Sequence, residues 1–565
     1  MTIKTNTANE KETDENEKLL SSTAKGASYL IFLQLLSRML TFILHQIVLR
    51  YTTPEAFGIA SVKLELLLST ILFISREGYR CALIRGDTFK EQNYDSSNSS
   101  KSNTATTTKN EPILDDTLIG IEQKVMNLSY IPTILGLITT CIACGYYLTT
   151  IDDTIAALYP YYRTSVLLFG AAALIELCIE PLFILSLNRM YFQLRVSVEG
   201  IAVVLRCLLT FSLTLLGAMD HSSTNNKYSL LAFAVAQFAF GVTMAIGYSG
   251  FFLYKVKQGD ISLSSLFPRK LKTSDGRIYW FDPTLKALGS TLTKQSLLKH
   301  VLTEGDKMLI SALSTDADQG VYAFVVNYGS LVVRILFQPL EETGRTLFSK
   351  LLNKDESTKN SNISENSKIL AIDVLMVIIR FHILLGLIFI CFATNYTSTL
   401  IDLLVGKKWS EGQDAPLVLS VYCIYVPIMG INGITEGFVQ AVASKSNLKK
   451  LSYYMVGFSL CFMGAGIIFM YILQLGAIGL ILANMVNLGI RIRYSWYFIT
   501  HYFKGYEKKL SFRLWLPNKL TLFAFGFSWV ITYLSQQWIG WRTLQQKAIH
   551  ISIGGLCFGF VCLIM

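Results

Sequence analysis

The chain has 565 residues, of which 52% are hydrophobic and 16% charged, against about 25% charged in an ordinary soluble domain. A water-soluble fold of this length is excluded, because it could not hide so much apolar surface. The formal net charge of +11 does not point to nucleic acid either, since the basic residues are dealt out among loops instead of forming one stripe with interleaved aromatics.

Apolar windows of about 20 residues, long enough to cross a hydrocarbon core, recur along the chain. In chain order they predict spans at 25–49, 58–80, 118–148, 160–187, 195–217, 228–254, 294–314, 320–347, 369–395, 416–440, 451–474, 476–500, 518–540 and 546–565. Runs of this length exclude barrel strands, which alternate over about ten residues. The expected fold class is therefore all-α, a polytopic membrane protein of about 14 helices.

Residues 1–24 are polar and acidic and contain no cleavable signal pattern, so the first span is expected to act as its own signal. Lys and Arg concentrate in 255–294, 345–368, 445–450 and 504–519, whereas the alternate loops hold few beyond Lys407 and Lys408. The positive-inside rule then puts both termini in the cytosol. The cysteines fall almost wholly within spans and read as small apolar packing residues, without a metal-ligand pattern. The expected organisation is a cytosolic tail 1–24, a six-helix half 25–254 with a disordered loop 86–117, and a basic cytosolic linker 255–293. A second six-helix half 294–500 follows, then a cytosolic loop and two extra helices in 501–565.

The halves resemble each other. The second span begins near Thr53-Pro54-Glu55-Ala56-Phe57-Gly58 and ends at Arg76-Glu77-Gly78-Tyr79-Arg80. The eighth begins near Thr315-Asp316-Ala317-Asp318-Gln319-Gly320 and ends at Glu341-Glu342-Thr343-Gly344-Arg345. Glu180-Pro181-Leu182-Phe183 has a counterpart in Glu436-Gly437-Phe438-Val439. Parallel repeats of this kind bracket a central cavity in transporters.

An ionisable side chain at the bilayer centre costs about 2.5–3.5 kcal/mol on insertion scales and usually faces a cavity or a partner. Arg38, Arg206, Lys307 and Arg334 form a candidate cationic cavity, because guanidinium and ammonium groups at low dielectric suit a phosphate or pyrophosphate. Simple neutralisation by carboxylates such as Glu77, Glu304 or Glu341 is the competing interpretation. Arg76, Glu77, Arg80, Glu341, Glu342 and Arg345 form candidate gate or structural ion pairs, within a helix or across the halves. Glu180, Glu304, Asp306 and Glu436 are intramembrane acids; Glu180 and Glu436 are too short to snorkel, as Arg380, Arg491 and Arg493 are able to do.

The sequence contains no GxxxxGK[ST], HExxH or GxSxG, so no enzyme and no cofactor is expected. The C-terminal Cys562-Leu563-Ile564-Met565 has the spelling of a prenylation box but ends an apolar helix. Asn395-Tyr396-Thr397 is the luminal glycosylation sequon of this topology, close to a helix end.

Thr53 to Gly58, Phe73-Ile74-Ser75-Arg76-Glu77-Gly78-Tyr79-Arg80, Lys299-His300-Val301-Leu302-Thr303-Glu304-Gly305-Asp306-Lys307 and Asn327-Tyr328-Gly329-Ser330-Leu331 resemble the Rft family of eukaryotic oligosaccharide-lipid translocation proteins. Glu180-Pro181 and Asn432-Gly433-Ile434-Thr435-Glu436 fit the same pattern, so the resemblance spans nearly the whole chain. It implies the fold of drug antiporters and cell-wall lipid flippases, and a place in the endoplasmic reticulum membrane. The implied partners are membrane lipid, a dolichyl-pyrophosphate oligosaccharide and other N-glycosylation enzymes. Three functions remain open at this point: a flippase for that glycolipid, a non-transporting binding or scaffold protein of the same pathway, and an ion-coupled small-molecule exporter using Glu180 and Glu436.

Overall fold

The computed structural model describes residues 42–84, 112–115, 117–151, 153–219, 228–273, 275–352, 365–411, 414–506, 510–511 and 514–565. Helix α1 covers residues 42–51, α2 Pro54–Ile84, α3 Ile119–Thr149, α4 Tyr162–Cys178, α5 Glu180–Asn188, α6 Phe192–Met219 and α7 Ser229–Lys257. They are followed by α8 Pro283–Leu313, α9 Asp316–Leu352, α10 Glu365–Leu404, α11 Ala415–Val442 and α12 Ser446–Ile472. The last three are α13 Gly476–Tyr502, α14 Lys519–Trp538 and α15 Leu544–Ile564.

Among the described residues, 10 helices are long and apolar enough to cross a membrane, or 11 if α4 and α5, bent by 40°, form one span. The sequence expectation of fourteen differs for three reasons. The first expected span lies mostly outside the described residues. Helix α8 exists but carries Lys286, Lys294, Lys299, Glu304, Asp306 and Lys307, which lower its hydropathy. Helix α14 exists too, but Thr521, Ser528, Thr532 and Ser535 are turned inward, while Phe523, Phe527, Trp529 and Val530 stay exposed for lipid.

The chain forms two compact units, residues 1–51 with 67–297 and residues 52–66 with 298–565. In the first, Met126, Phe183, Val198, Met244, Tyr248 and Phe252 anchor one apolar cluster. In the second, Phe348, Leu375, Ile379, Phe438, Phe503 and Trp515 anchor another. The start of α2 belongs to the second unit, where it meets α9, and the two helices begin alike. Thr53 Oγ1 accepts from Ala56 N at 3.3 Å, and Thr315 Oγ1 accepts from Asp318 N at 3.2 Å, each capping an otherwise unbonded amide. Pro54 occupies the first turn, where its missing N–H is harmless. Gly58 and Gly320, the matching glycines, then press together. A Cβ on Gly320 would stand 1.8 Å from Pro54 O, and one on Gly58 would stand 2.1 Å from Asp316 O. Only a residue without a side chain permits this crossing, which is how helices approach closely in lipid.

Helix α9 widens into a π turn over Val333–Phe337, directly before Pro339. Proline lacks an N–H and its ring would strike the carbonyl of Ile335 in a regular helix, so the wider turn relieves the clash. Arg334 rides on this turn.

The described residues of 255–293, expected as a linker, and residues 112–115, expected within a disordered loop, instead build ordered structure. Strands β1 Ile113–Leu114, β2 Leu271–Lys272 and β3 Ile278–Tyr279 form a sheet in that order, with β1 parallel and β3 antiparallel to β2. Buried Asn127 of α3 holds it in place. Its amide donates to the carbonyls of Arg269 (2.6 Å) and Trp280 (2.7 Å) and accepts from Arg269 N (2.9 Å).

Candidate functional site

In the first unit the acidic candidate Glu180 begins α5 and is 1% exposed. A carboxylate this buried needs a counter-charge, and Arg80 at the far end of α2 supplies it through two parallel bonds. Arg80 Nε reaches Oε1 at 2.6 Å and Nη2 reaches Oε2 at 2.5 Å, the bidentate geometry that favours arginine over lysine. Its guanidinium also lies 4.1 Å from the centre of the Phe183 ring. Of the two pairings left open for Arg80, with Glu77 of its own helix or across the halves, neither describes this bond, which joins α2 to α5 within one unit. Glu77 remains on the same face, accepting from Cys81 Sγ at 3.8 Å.

One turn earlier, Arg76 Nη1 meets Glu176 Oε2 of α4 at 3.4 Å. The other oxygen of Glu176 accepts from Gln237 Nε2 at 3.4 Å, and Gln237 Oε1 accepts from Arg206 Nη1 at 2.9 Å. One polar chain thus links α2, α4, α7 and α6, and it contains two of the sequence candidates, Arg76 and Arg206. Arg206 also stands 5.3 Å from the centre of the Phe240 ring. Gln237 was invisible as a site residue because a neutral amide inside an apolar run raises no flag. Just past α5, Arg189 donates to both oxygens of Glu122 (2.6 and 2.9 Å), and these hydrogen bonds hold its pKa above the ordinary value.

In the second unit, Lys307 Nζ meets Glu304 Oε2 at 2.9 Å, one turn away on α8, so this cation is neutralised locally. Asp306 accepts from Tyr322 OH at 3.1 Å, and Lys63 meets Asp316 at 2.6 Å near the glycine crossing. Arg334 is exposed. Glu341 and Arg345 pair along α9 at 2.7 Å, while exposed Glu342 accepts from Gln338 Nε2 at 3.3 Å.

Glu436, 9% exposed, is held by Arg491 Nη2 of α13 at 2.5 Å and also accepts from Asn432 and Gln440, each at 3.3 Å. Arg491 was expected to snorkel to the interface; instead it turns inward to this carboxylate. Its length allowed both, and the facing acid on α11 decides. Arg380, by contrast, is exposed and donates to Leu514 O at 2.6 Å. Arg38 lies outside the described residues.

Sequence reasoning also missed a polar clasp on the C-terminal helices. Asp402 of α10 accepts from Lys547 of α15 and from Ser410 at 2.9 Å. His550 stacks on Tyr396 with ring centres 4.1 Å apart, and its Nδ1 lies 2.8 Å from Ser535 Oγ. Beside them the sequon residue Asn395 is buried, donating to Thr532 Oγ1 at 2.8 Å and Trp529 O at 3.2 Å. In the folded chain its amide is committed to the bundle and is closed to a glycan.

Long apolar helices whose intramembrane acids Glu180 and Glu436 each find an arginine within their own unit define a multispanning helical membrane protein. Two solved structures share the fold: the lipid II flippase MurJ in an inward closed conformation, with a TM-score of 0.52, 15% identity and coverage of 94% of this chain and 98% of that one, and an inward-facing multidrug resistance MATE family transporter, with a TM-score of 0.50, 13% identity and coverage of 83% and 96%.

The family model described as Rft protein matches residues 22–565, and the chain belongs to that family. Its relatives include proteins named Man(5)GlcNAc(2)-PP-dolichol translocation protein RFT1. The Yarrowia lipolytica protein is 33% identical over 96% of this chain and 79% of its own length. The Mus musculus protein is 30% identical over 96% and 94%.

Proposed function

We propose that this chain is a flippase that moves a dolichyl-pyrophosphate-linked Man5GlcNAc2 oligosaccharide from the cytosolic to the luminal leaflet of the endoplasmic reticulum membrane, for protein N-glycosylation. It spans that membrane many times with both termini cytosolic. The carrying observation is similarity over nearly the whole chain to relatives named for translocating this glycolipid. Arg206 fits the role of a phosphate ligand, because its hydrogen bond goes to the neutral amide of Gln237, which leaves its positive charge in place. Arg38, Lys307 and Arg334 are further candidate ligands on sequence grounds, with the polyprenyl tail left in lipid. Luminal consumption of the product supplies direction without nucleotide hydrolysis.

The ion-coupled exporter is disfavoured because its two acids are already engaged: Glu180 is held in a bidentate pair with Arg80, and Glu436 by Arg491, Asn432 and Gln440. One observation favours the non-transporting role: Lys307 is already neutralised by Glu304. Transfer of a labelled dolichyl-pyrophosphate heptasaccharide in proteoliposomes separates the two. The flippase reading expects protein-dependent transfer that folded Arg206→Ala and Lys307→Ala variants lose. Transfer no faster than in protein-free vesicles, alongside measurable glycolipid binding, assigns the binding or scaffold role.

A further inference from the structure

The small sheet of the first unit has two unlike faces. Its register pairs Ile113 with Leu271 and Leu271 with Tyr279, and these three face inward. The neighbouring row pairs Leu114 with Lys272 and Lys272 with Ile278, and all three are exposed. Trp280, just past the end of β3, is exposed as well. Leu114 is 52% exposed, Ile278 59% and Trp280 45%. Three large apolar side chains are thus displayed beside a lysine on a rigid platform. Asn127, 0% exposed, fixes the platform by three hydrogen bonds, and Gln123 and Tyr130 add bonds to Phe267 O (2.9 Å) and Leu266 O (2.7 Å).

We propose that this face is an interfacial anchor that lies in the headgroup region of the chain's own bilayer and gathers anionic phospholipid. The location argues for lipid. Leu114 is only five residues before Ile119, where the candidate span α3 begins, so the strand cannot stand more than about 17 Å from it. The preceding span α7 ends in Lys255 and Lys257. Between Lys255 and Lys286 the chain carries seven basic residues, Lys255, Lys257, Arg269, Lys270, Lys272, Arg277 and Lys286, against Asp260, Asp275 and Asp282. Tryptophan with aliphatic neighbours sits well at the headgroup level, and basic residues near it attract acidic headgroups. The ordered backbone adds to this, because a presented face loses little conformational entropy when it meets lipid.

The test uses the full chain in nanodiscs and reads Trp280 fluorescence as the difference between the native protein and Trp280→Phe. That substitution leaves the bond from Asn127 to the residue 280 carbonyl in place. With phosphatidylcholine brominated either near the headgroup end or near the terminus of its chains, quenching is expected to be stronger for the shallow label. Energy transfer to dansyl-phosphatidylserine is expected to exceed that to dansyl-phosphatidylcholine by roughly fivefold, the equivalent of about 1 kcal/mol for a single basic residue at the surface. Lys270→Gln with Lys272→Gln and Arg277→Gln should shrink that preference while shallow quenching persists. Quenching by neither label would overturn the proposal and leave the face to a protein partner or to another part of this chain. Shallow quenching without preference for the anionic lipid would overturn its charge component. Neither readout depends on glycolipid transfer.

Discussion

Glu180 and Glu436 head similar sequence segments, one in each unit, yet they are closed by different means. In the first unit both oxygens of Glu180 are taken by one guanidinium from α2. In the second, the residue matching Arg80 is Arg345, and it stays on its own helix with Glu341. Glu436 is met by a single nitrogen of Arg491 and by two side-chain amides. Among the described residues, Nε of Arg345, Nε of Arg491 and Oδ1 of Asn432 are buried without a hydrogen-bond partner. The two unfilled arginine N–H donors, close to carboxylates, lower the cost of exchanging partners, because a new bond replaces nothing. A shared sequence pattern thus yields a tight clamp in one half and a looser network in the other.

The sharpest way to break this contrast is at Arg80. Arg80→Ala leaves Glu180 buried with no counter-charge, and about 3–5 kcal/mol of stability should be lost. Thermal melts of the detergent-solubilised protein would show it, and Glu180→Gln added to the same chain should recover much of the loss. A loss no greater than that of Arg345→Ala would make the clamp and the network equivalent and dissolve the comparison. Arg491→Ala should come next, at about 1.5–3 kcal/mol for a charged hydrogen bond, because Asn432 and Gln440 continue to solvate Glu436.

The glycine crossing sharpens the comparison from the opposite side, since there α2 and α9 contribute alike within one unit. Gly58→Ala and Gly320→Ala each force a Cβ into backbone atoms of the other helix, and both should cost about 1–3 kcal/mol. Equal melting shifts are expected. A shift at only one of them would show that the helices do not share the contact symmetrically.

The sequence exposed Glu180 and Glu436 because a short acid in an apolar run cannot snorkel to water, so each was expected to face a cavity or a partner. It could not show which arginine. Arg491 is long enough to snorkel, and only its orientation on α13 toward α11 reveals otherwise. Gln237, Asn127 and Asn432 stayed silent because amides carry no charge and hardly disturb hydropathy. The sheet was missed for a different reason: strands of two residues are too short to show period-2 alternation, which needs four to eight. Lys547 and Asp402 are separated by 145 positions, and pairing at that range is a product of packing.

The smallest expected effect is also the most discriminating. Arg345 and Glu341 are both partly exposed and lie one turn apart on α9, so Arg345→Ala should cost only about 0.2–1 kcal/mol. If the pair is merely a helix staple, the transfer rate of the glycolipid in proteoliposomes should stay unchanged along with stability. Glu341 stands over Gly433 of α11, where a Cβ would come 2.8 Å from its Oε2, one turn from Glu436. That places Arg345 close to a second carboxylate that already has a weaker hold than Glu180 has. If Arg345 passes from Glu341 to Glu436 during a cycle, Arg345→Ala should slow transfer strongly while the melting point barely moves. Arg345→Lys should then restore part of the rate, because exchange between two acids needs the charge more than the bidentate fork.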